Sequence, residues 1–259
     1  MKKLLLIVTT LGFLGTISYS QGAITALDRY KDYLEQGTFG EQDWSKFKIM
    51  PQSRYCTFKQ AFEHFEKVGG KVVVELGTSR SFTHGGHPGC NLDDSKYWSN
   101  HEPQNWDWGA GFFTRMAAES LQHLNPIIHT IDIAQPHINR CKVMTAEFKH
   151  IIRYHVCSSL DFLKSCATES IDLLYLDTGD MTPIEPTALL QLQEAKIIVE
   201  RNVLTKNGIL LIDDVKNQTP KKFGETSDLG KSKYAIPYLL QHGYEIIADG
   251  YQVIMKKSK

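Results

Sequence analysis

Cysteine is scarce in this chain. The 259 residues contain five, at positions 56, 90, 141, 157 and 166, and no two form a C-x-x-C pair. A disulfide framework or a structural zinc ribbon is therefore excluded, and the usage is that of a reducing compartment. An excess of either charge is also missing: Lys+Arg and Asp+Glu are equal at 29 each. Without a net positive field there is little to displace counterions from a phosphate backbone, so no nucleic-acid partner is expected. Internal repeats, low-complexity linkers and a G-x-G-x-x-G dinucleotide fingerprint are all absent, which disfavours solenoids and NAD binding. Beyond residue 20, no segment reaches the ~18 apolar residues of a membrane span.

What is present is an ordinary globular composition, 42% hydrophobic and 22% charged, enough for one sizeable core. The first twenty residues stand apart. Lys2 and Lys3 precede an apolar stretch from Leu4 to Ile17 and then Ser18-Tyr19-Ser20, the order of a secretory signal peptide. Export, to a periplasm or outside the cell, is the expectation. An uncleaved membrane anchor is the alternative, and this segment would then be the sole membrane contact. Residues 21–54 are read as an N-terminal cap.

From residue 55 onward the hydrophobic period alternates. Phe58, Ala61, Phe62, Phe65 and Val68 mark one face of a helix, and K71-VVVEL-76 is a β-branched run of a strand buried on both faces. Helical segments are expected at 111–123, 136–149, 160–165, 186–203 and 233–242. Strands are expected at 127–133, 151–157, 171–176 and 208–212. Such alternation predicts an α/β fold with a doubly wound, mostly parallel sheet. Asp249-Gly250, between 244–248 and 251–255, predicts a hairpin and an antiparallel last strand. About thirty residues, 80–110, break the rhythm as a long inserted loop.

Ligands of an open parallel sheet bind beyond the carboxyl ends of its strands. Those ends read Glu75-Leu-Gly77-Thr78-Ser79, Asp132, Cys157-Ser158-Ser159, Asp177-Thr-Gly-Asp180 and Asp213-Asp214. This concentration of acids suits a cationic nucleoside better than a phosphorylated one. The pattern, with VVVELGT at the first strand and HTID at the second, resembles the class I S-adenosylmethionine-dependent methyltransferases over about residues 55–257. That likeness implies a seven-stranded Rossmann-like sheet and S-adenosylmethionine as cofactor. It implies that Gly77 lets backbone approach the methionine part and that Glu75 supports the turn. Asp132 would take the ribose diol and Ser159 would lie by the adenine, with Thr78, Ser79, Ser158 and Asp177 completing the cofactor site. The usual glycine loop is split, because ELGTSRS is separated from GAGFFTRMAAESL by the insert.

Asp177, Asp213 and Asp214 would bring three carboxylates to adjacent strand ends, an arrangement that demands a hard cation or a proton among them. Here the sequence resembles the cation-dependent O-methyltransferases of the catechol and macrolide-sugar kinds. The resemblance implies Mg²⁺ on these three residues and a small-molecule hydroxyl as acceptor; Asp180, three residues beyond Asp177, is the candidate general base, at a spot similar to that where the catechol enzymes carry a lysine. Within the insert, His84, His87 and Cys90, with His101 nearby, match no common zinc spacing. Tyr97, Trp98, Trp106 and Trp108 suit either an aromatic lid or plain packing. Two other readings compete. Gly77-Thr-Ser79-Arg-Ser81 is one residue from a nucleophile elbow, with Asp177 or Asp213 and then His242 in the order of a serine hydrolase. A domain of the same fold that only binds the cofactor is the third.

Overall fold

A computed structural model describes residues 26–31, 34, 53–78, 112–179, 183–215 and 230–258. The leader 1–20, nearly all of the cap, the insert with its histidines and tryptophans, Ser79 and Asp180 lie outside the described residues.

Ser53 starts the first helix, α1 (Arg54–Lys67), because its hydroxyl accepts the otherwise orphaned amide of Cys56. The helix starts four residues before Phe58, the first apolar position of its period. There follow β1 (Val72–Leu76), α2 (Phe112–Leu121), β2 (Ile127–Asp132), α3 (Gln135–Met144), β3 (Ile152–Val156), α4 (Ser159–Ser165), β4 (Ile171–Leu176), α5 (Ile184–Glu200), β5 (Leu204–Ile212), α6 (Ala235–Gln241), β6 (Tyr244–Asp249) and β7 (Val253–Lys257). The expected elements are all there. β5 starts four residues early: Thr205 to Asn207 continue the strand across a register shift opposite Ile171, where Gly208 passes close to the Ile171 carbonyl. The glycine read as the first residue of the strand instead marks a bulge within it.

The strand order is β3-β2-β1-β4-β5-β7-β6, with β7 antiparallel to both β5 and β6 and the other neighbours parallel. The chain winds outward from β1 to β3, then returns to place β4 on the other side of β1. The topological switch point therefore lies between the carboxyl ends of β1 and β4. One face of the sheet is covered by α1, α2 and α3, the other by α4, α5 and α6. On the first face Phe58, Phe62, Phe113 and Tyr175 form an aromatic cluster, with Phe113 stacked on Tyr175 at 4.2 Å between centroids. These rings hold α1 and α2 against β4 near its carboxyl end. Among the described residues no helix is long and apolar enough to cross a membrane.

Candidate functional site

Gly77 follows β1 at the switch point with φ +85°. A Cβ there would stand 2.5 Å from the Asp177 carbonyl oxygen. The Asp177 amide in turn donates to Leu76 O at 2.9 Å. The glycine is required because the ends of β1 and β4 nearly touch. The amides of Gly77 and Thr78 both donate to Ile131 O, so the turn is also tied to β2.

Beneath this turn lies Glu75, fully buried and flanked in register by Thr130 of β2 and Tyr175 of β4. Thr78 donates to Thr130, and Thr130 and Thr114 donate to Glu75 Oε2, so the carboxyl is linked to the turn through one hydroxyl. Its Oε1 is buried without a partner. Burial pushes the Glu75 pKa up to about 8, against the pull of the two threonine hydroxyls. At neutral pH it is therefore mainly the protonated acid.

Asp132 ends β2. Its Oδ1 accepts from the Ala134 amide at 2.7 Å and from His137 Nδ1 at 3.0 Å. No described residue bonds its Oδ2. The neighbouring Ile133 is 75% exposed, the most exposed large apolar side chain among the described residues. Past β3, Ser158 is committed to capping α4 by accepting from the Asp161 amide. Ser159 is buried beside Glu194 of α5, which also accepts from Thr178 at 2.9 Å. Burial raises Glu194 to about 7.

The structure does bring Asp177, Asp213 and Asp214 to neighbouring strand ends, but two buried cations stand among them. Lys231 Nζ lies 2.8 Å from Asp177 Oδ1 and 2.8 Å from Asp214 Oδ2, and donates to Gly179 O at 3.3 Å. Arg54 Nε donates to Asp213 at 3.0 and 3.2 Å, and its Nη2 to Asp214 Oδ1 at 2.8 Å. Tyr175 donates to Asp213 and Tyr251 to Asp214, the latter at 2.6 Å, while the Arg54 guanidinium rests 4.1 Å from the Tyr251 ring centroid. Burial opposes the charge on Lys231, yet Asp177, Asp214 and Asp213 hold its pKa above the lysine value. Burial likewise opposes the charge on Asp214, and Lys231 and Arg54 hold that carboxyl well below the usual range. Asp177 moves the other way, raised by burial despite Lys231.

The expected magnesium site is thereby corrected. The compensation that three converging carboxylates require is supplied by an ammonium and a guanidinium that lie among them, each within 3.2 Å of two of the carboxylates, and two such fixed cations do not fit a divalent ion beside them. No three His, Cys, Asp or Glu side chains among the described residues are grouped so that they could hold one metal ion. Sequence reasoning missed Lys231, Arg54, Tyr251 and His137. Arg54 carried a signal, since a cation in the first turn of a helix opposes the macrodipole and calls for nearby carboxylates. Lys231, in an unpatterned Gly-Lys-Ser-Lys run, carried none.

The hydrolase arrangement is also corrected. Tyr244 pairs with Lys257, and Lys256 with Ile209, so β6 begins at the amino ends of the parallel strands. His242, just before it, bonds Tyr238 O and stacks on the Tyr238 ring at the opposite edge of the sheet from Asp177 and Asp213.

No protein-family model matches the chain, and no curated protein matches it significantly. Solved structures do. The Podospora anserina methyltransferase PaMTH1, in its SAH-bound form, is 12% identical with a TM-score of 0.50, over 98% of this chain and 100% of that one. A putative methyltransferase of Streptococcus mutans in complex with SAH, SMU.1697c, is 12% identical with a TM-score of 0.46, over 77% of this chain and 97% of that one. A putative rRNA-methylase from Clostridium thermocellum is 13% identical with a TM-score of 0.45, over 81% and 97%. At such identities the likeness is one of fold. The chain has the Rossmann-like fold of the class I methyltransferases.

Proposed function

We propose that this chain is an S-adenosylmethionine-dependent methyltransferase acting on a hydroxyl of a small molecule. The observation that carries the reading is Asp132. It is a carboxylate at the end of β2, on the inner side of the switch point, with one oxygen held by the protein and the other available to a diol. Exposed Ile133 beside it offers an apolar face to a planar base, and Gly77 turns the chain at the switch point, where ligands of such sheets bind. These features fit a nucleoside. The cofactor would supply an electrophilic methyl on sulfur. The chain's part is to orient it, to hold the acceptor oxygen in line, and to take the acceptor's proton.

Asp180 remains the proposed base, by its place three residues beyond Asp177 in the sequence. Magnesium assistance is not part of the proposal, because Lys231 and Arg54 already satisfy the three carboxylates. The acceptor class rests on the resemblance to O-methyltransferases. Titration calorimetry with S-adenosylhomocysteine tests the cofactor, and absence of binding would overturn the reading. Transfer of a tritiated methyl to catechols and sugar diols, with and without EDTA, tests the acceptor and the metal-free chemistry. Binding without any transfer would favour a binding-only domain.

A further inference from the structure

The two donors on Asp132 fall on one oxygen. The Ala134 amide, two residues on, closes a turn onto Oδ1 at 2.7 Å, as Asp side chains commonly do. The second donor is not local backbone. His137, in the first turn of α3 after Ala134 and Pro136, places Nδ1 3.0 Å from the same Oδ1. Both side chains are largely sheltered, at 10% exposure for Asp132 and 19% for His137. With its proton on Nδ1, the imidazole fixes the carboxylate torsion and leaves Oδ2 as the oxygen with no described partner.

We propose that His137 is a positioning residue for recognition of a nucleoside's vicinal diol. It anchors Asp132 Oδ1 so that Oδ2 is presented to the two ribose hydroxyls. The inference rests on the cofactor reading above and deepens it. A carboxylate that accepts two hydroxyl donors binds a diol tightly only if its plane is fixed beforehand, since otherwise ordering it offsets the gain. A single turn amide leaves the carboxylate free to rotate about its Cβ–Cγ bond, and the ring nitrogen removes that freedom. His137 itself need not touch the ligand. Asparagine tests the geometry, because its Nδ2 occupies nearly the place of histidine Nδ1 and donates in the same direction.

The experiment is calorimetric titration of the full chain with S-adenosylhomocysteine and with its 2′,3′-dideoxy analogue, for the unaltered protein, His137→Phe and His137→Asn. His137→Phe should weaken S-adenosylhomocysteine by about tenfold, the worth of one hydrogen bond to a charged group. The same substitution should change affinity for the dideoxy analogue by less than about twofold, and His137→Asn should restore most of the loss. Equal weakening of both ligands, or no weakening of either, would overturn the positioning role while leaving the cofactor reading standing. If the unaltered protein binds neither compound, the cofactor reading falls and this inference with it. Should His137→Phe fail to fold, His137→Asn against Asp132→Asn carries the same comparison, with near-normal and lost diol discrimination expected respectively.

Discussion

Lys231 and Asp177 form a buried ion pair, 2.8 Å from ammonium to carboxylate, and the same ammonium lies 2.8 Å from Asp214. One cation thus joins the ends of β4 and β5 and anchors the chain as it returns at residue 230. Removing it leaves two carboxylates facing each other away from water, so Lys231→Met is expected to lower stability by about 3–5 kcal/mol in urea unfolding. The companion variant Lys231→Ala opens space at the same point. Added Mg²⁺ should raise its unfolding midpoint and leave that of the unaltered protein unmoved.

Tyr175 connects the aromatic cluster to the ion cluster. Its ring stacks on Phe113, and its hydroxyl donates to Asp213 while accepting from Gln252 at 3.4 Å. Tyr175→Phe keeps the stacking and withdraws one donor from a buried carboxylate. A loss of about 1–3 kcal/mol is expected, with no change in the urea m-value. A neutral result would mean that Arg54 and the Asp214 amide suffice for Asp213.

How much of this was legible beforehand differs between fold and site. The β-branched runs and the helical periods located the sheet, because burial on both faces of parallel strands leaves a one-dimensional trace. Asp249-Gly250 announced the hairpin and its antiparallel last strand, because turn chemistry is local too. The strand-end acids were also readable, as was their need for positive charge. Which charge would meet them was not. Arg54 lies 159 residues before Asp213 and Lys231 lies 54 after Asp177, and nothing periodic ties such partners together. Three carboxylates at strand ends look the same in sequence whether a metal or a lysine neutralises them. The start of β5 was missed at Gly208, because the polar residues before it show no strand period and a bulge lets the strand run on from Leu204.

Gly77 gives a direct test of the switch point. Its φ of +85° is open to glycine, and a methyl there would press on the Asp177 carbonyl and the Thr178 Cα. Gly77→Ala combines backbone strain with a clash against the adjoining strand end. It should destabilise the protein by about 2 kcal/mol or more and loosen the β1–β4 junction. Hydrogen exchange at the Asp177 amide, which donates to Leu76 O, reports that junction. Faster exchange there than at the β6–β7 hairpin is the expected result, and uniform exchange would mean the junction is not the part strained.

Glu75 predicts how stability follows pH. Its pKa rises from an ordinary 4.5 to about 8 on folding, chiefly through burial, so the folded chain holds a proton that the unfolded chain has released. The contribution is complete below about pH 4.5, where both states are protonated. It declines as pH climbs toward 8 and the unfolded state increasingly favours the carboxylate. Glu75→Gln removes this titration while keeping an uncharged side chain of the same length. The variant should therefore gain stability relative to the unaltered protein as pH increases from 4.5 to 8, and the difference should level off above that. Glu194 and Asp177 titrate in the same sense, each with a folded value of about 7, so the unaltered protein's own curve combines all three, and Glu75→Gln isolates one. Urea unfolding of both proteins at pH 5, 6, 7 and 8 measures it. A difference that stays constant across that range would mean Glu75 is ionised in the folded protein, held by its two threonine hydroxyls.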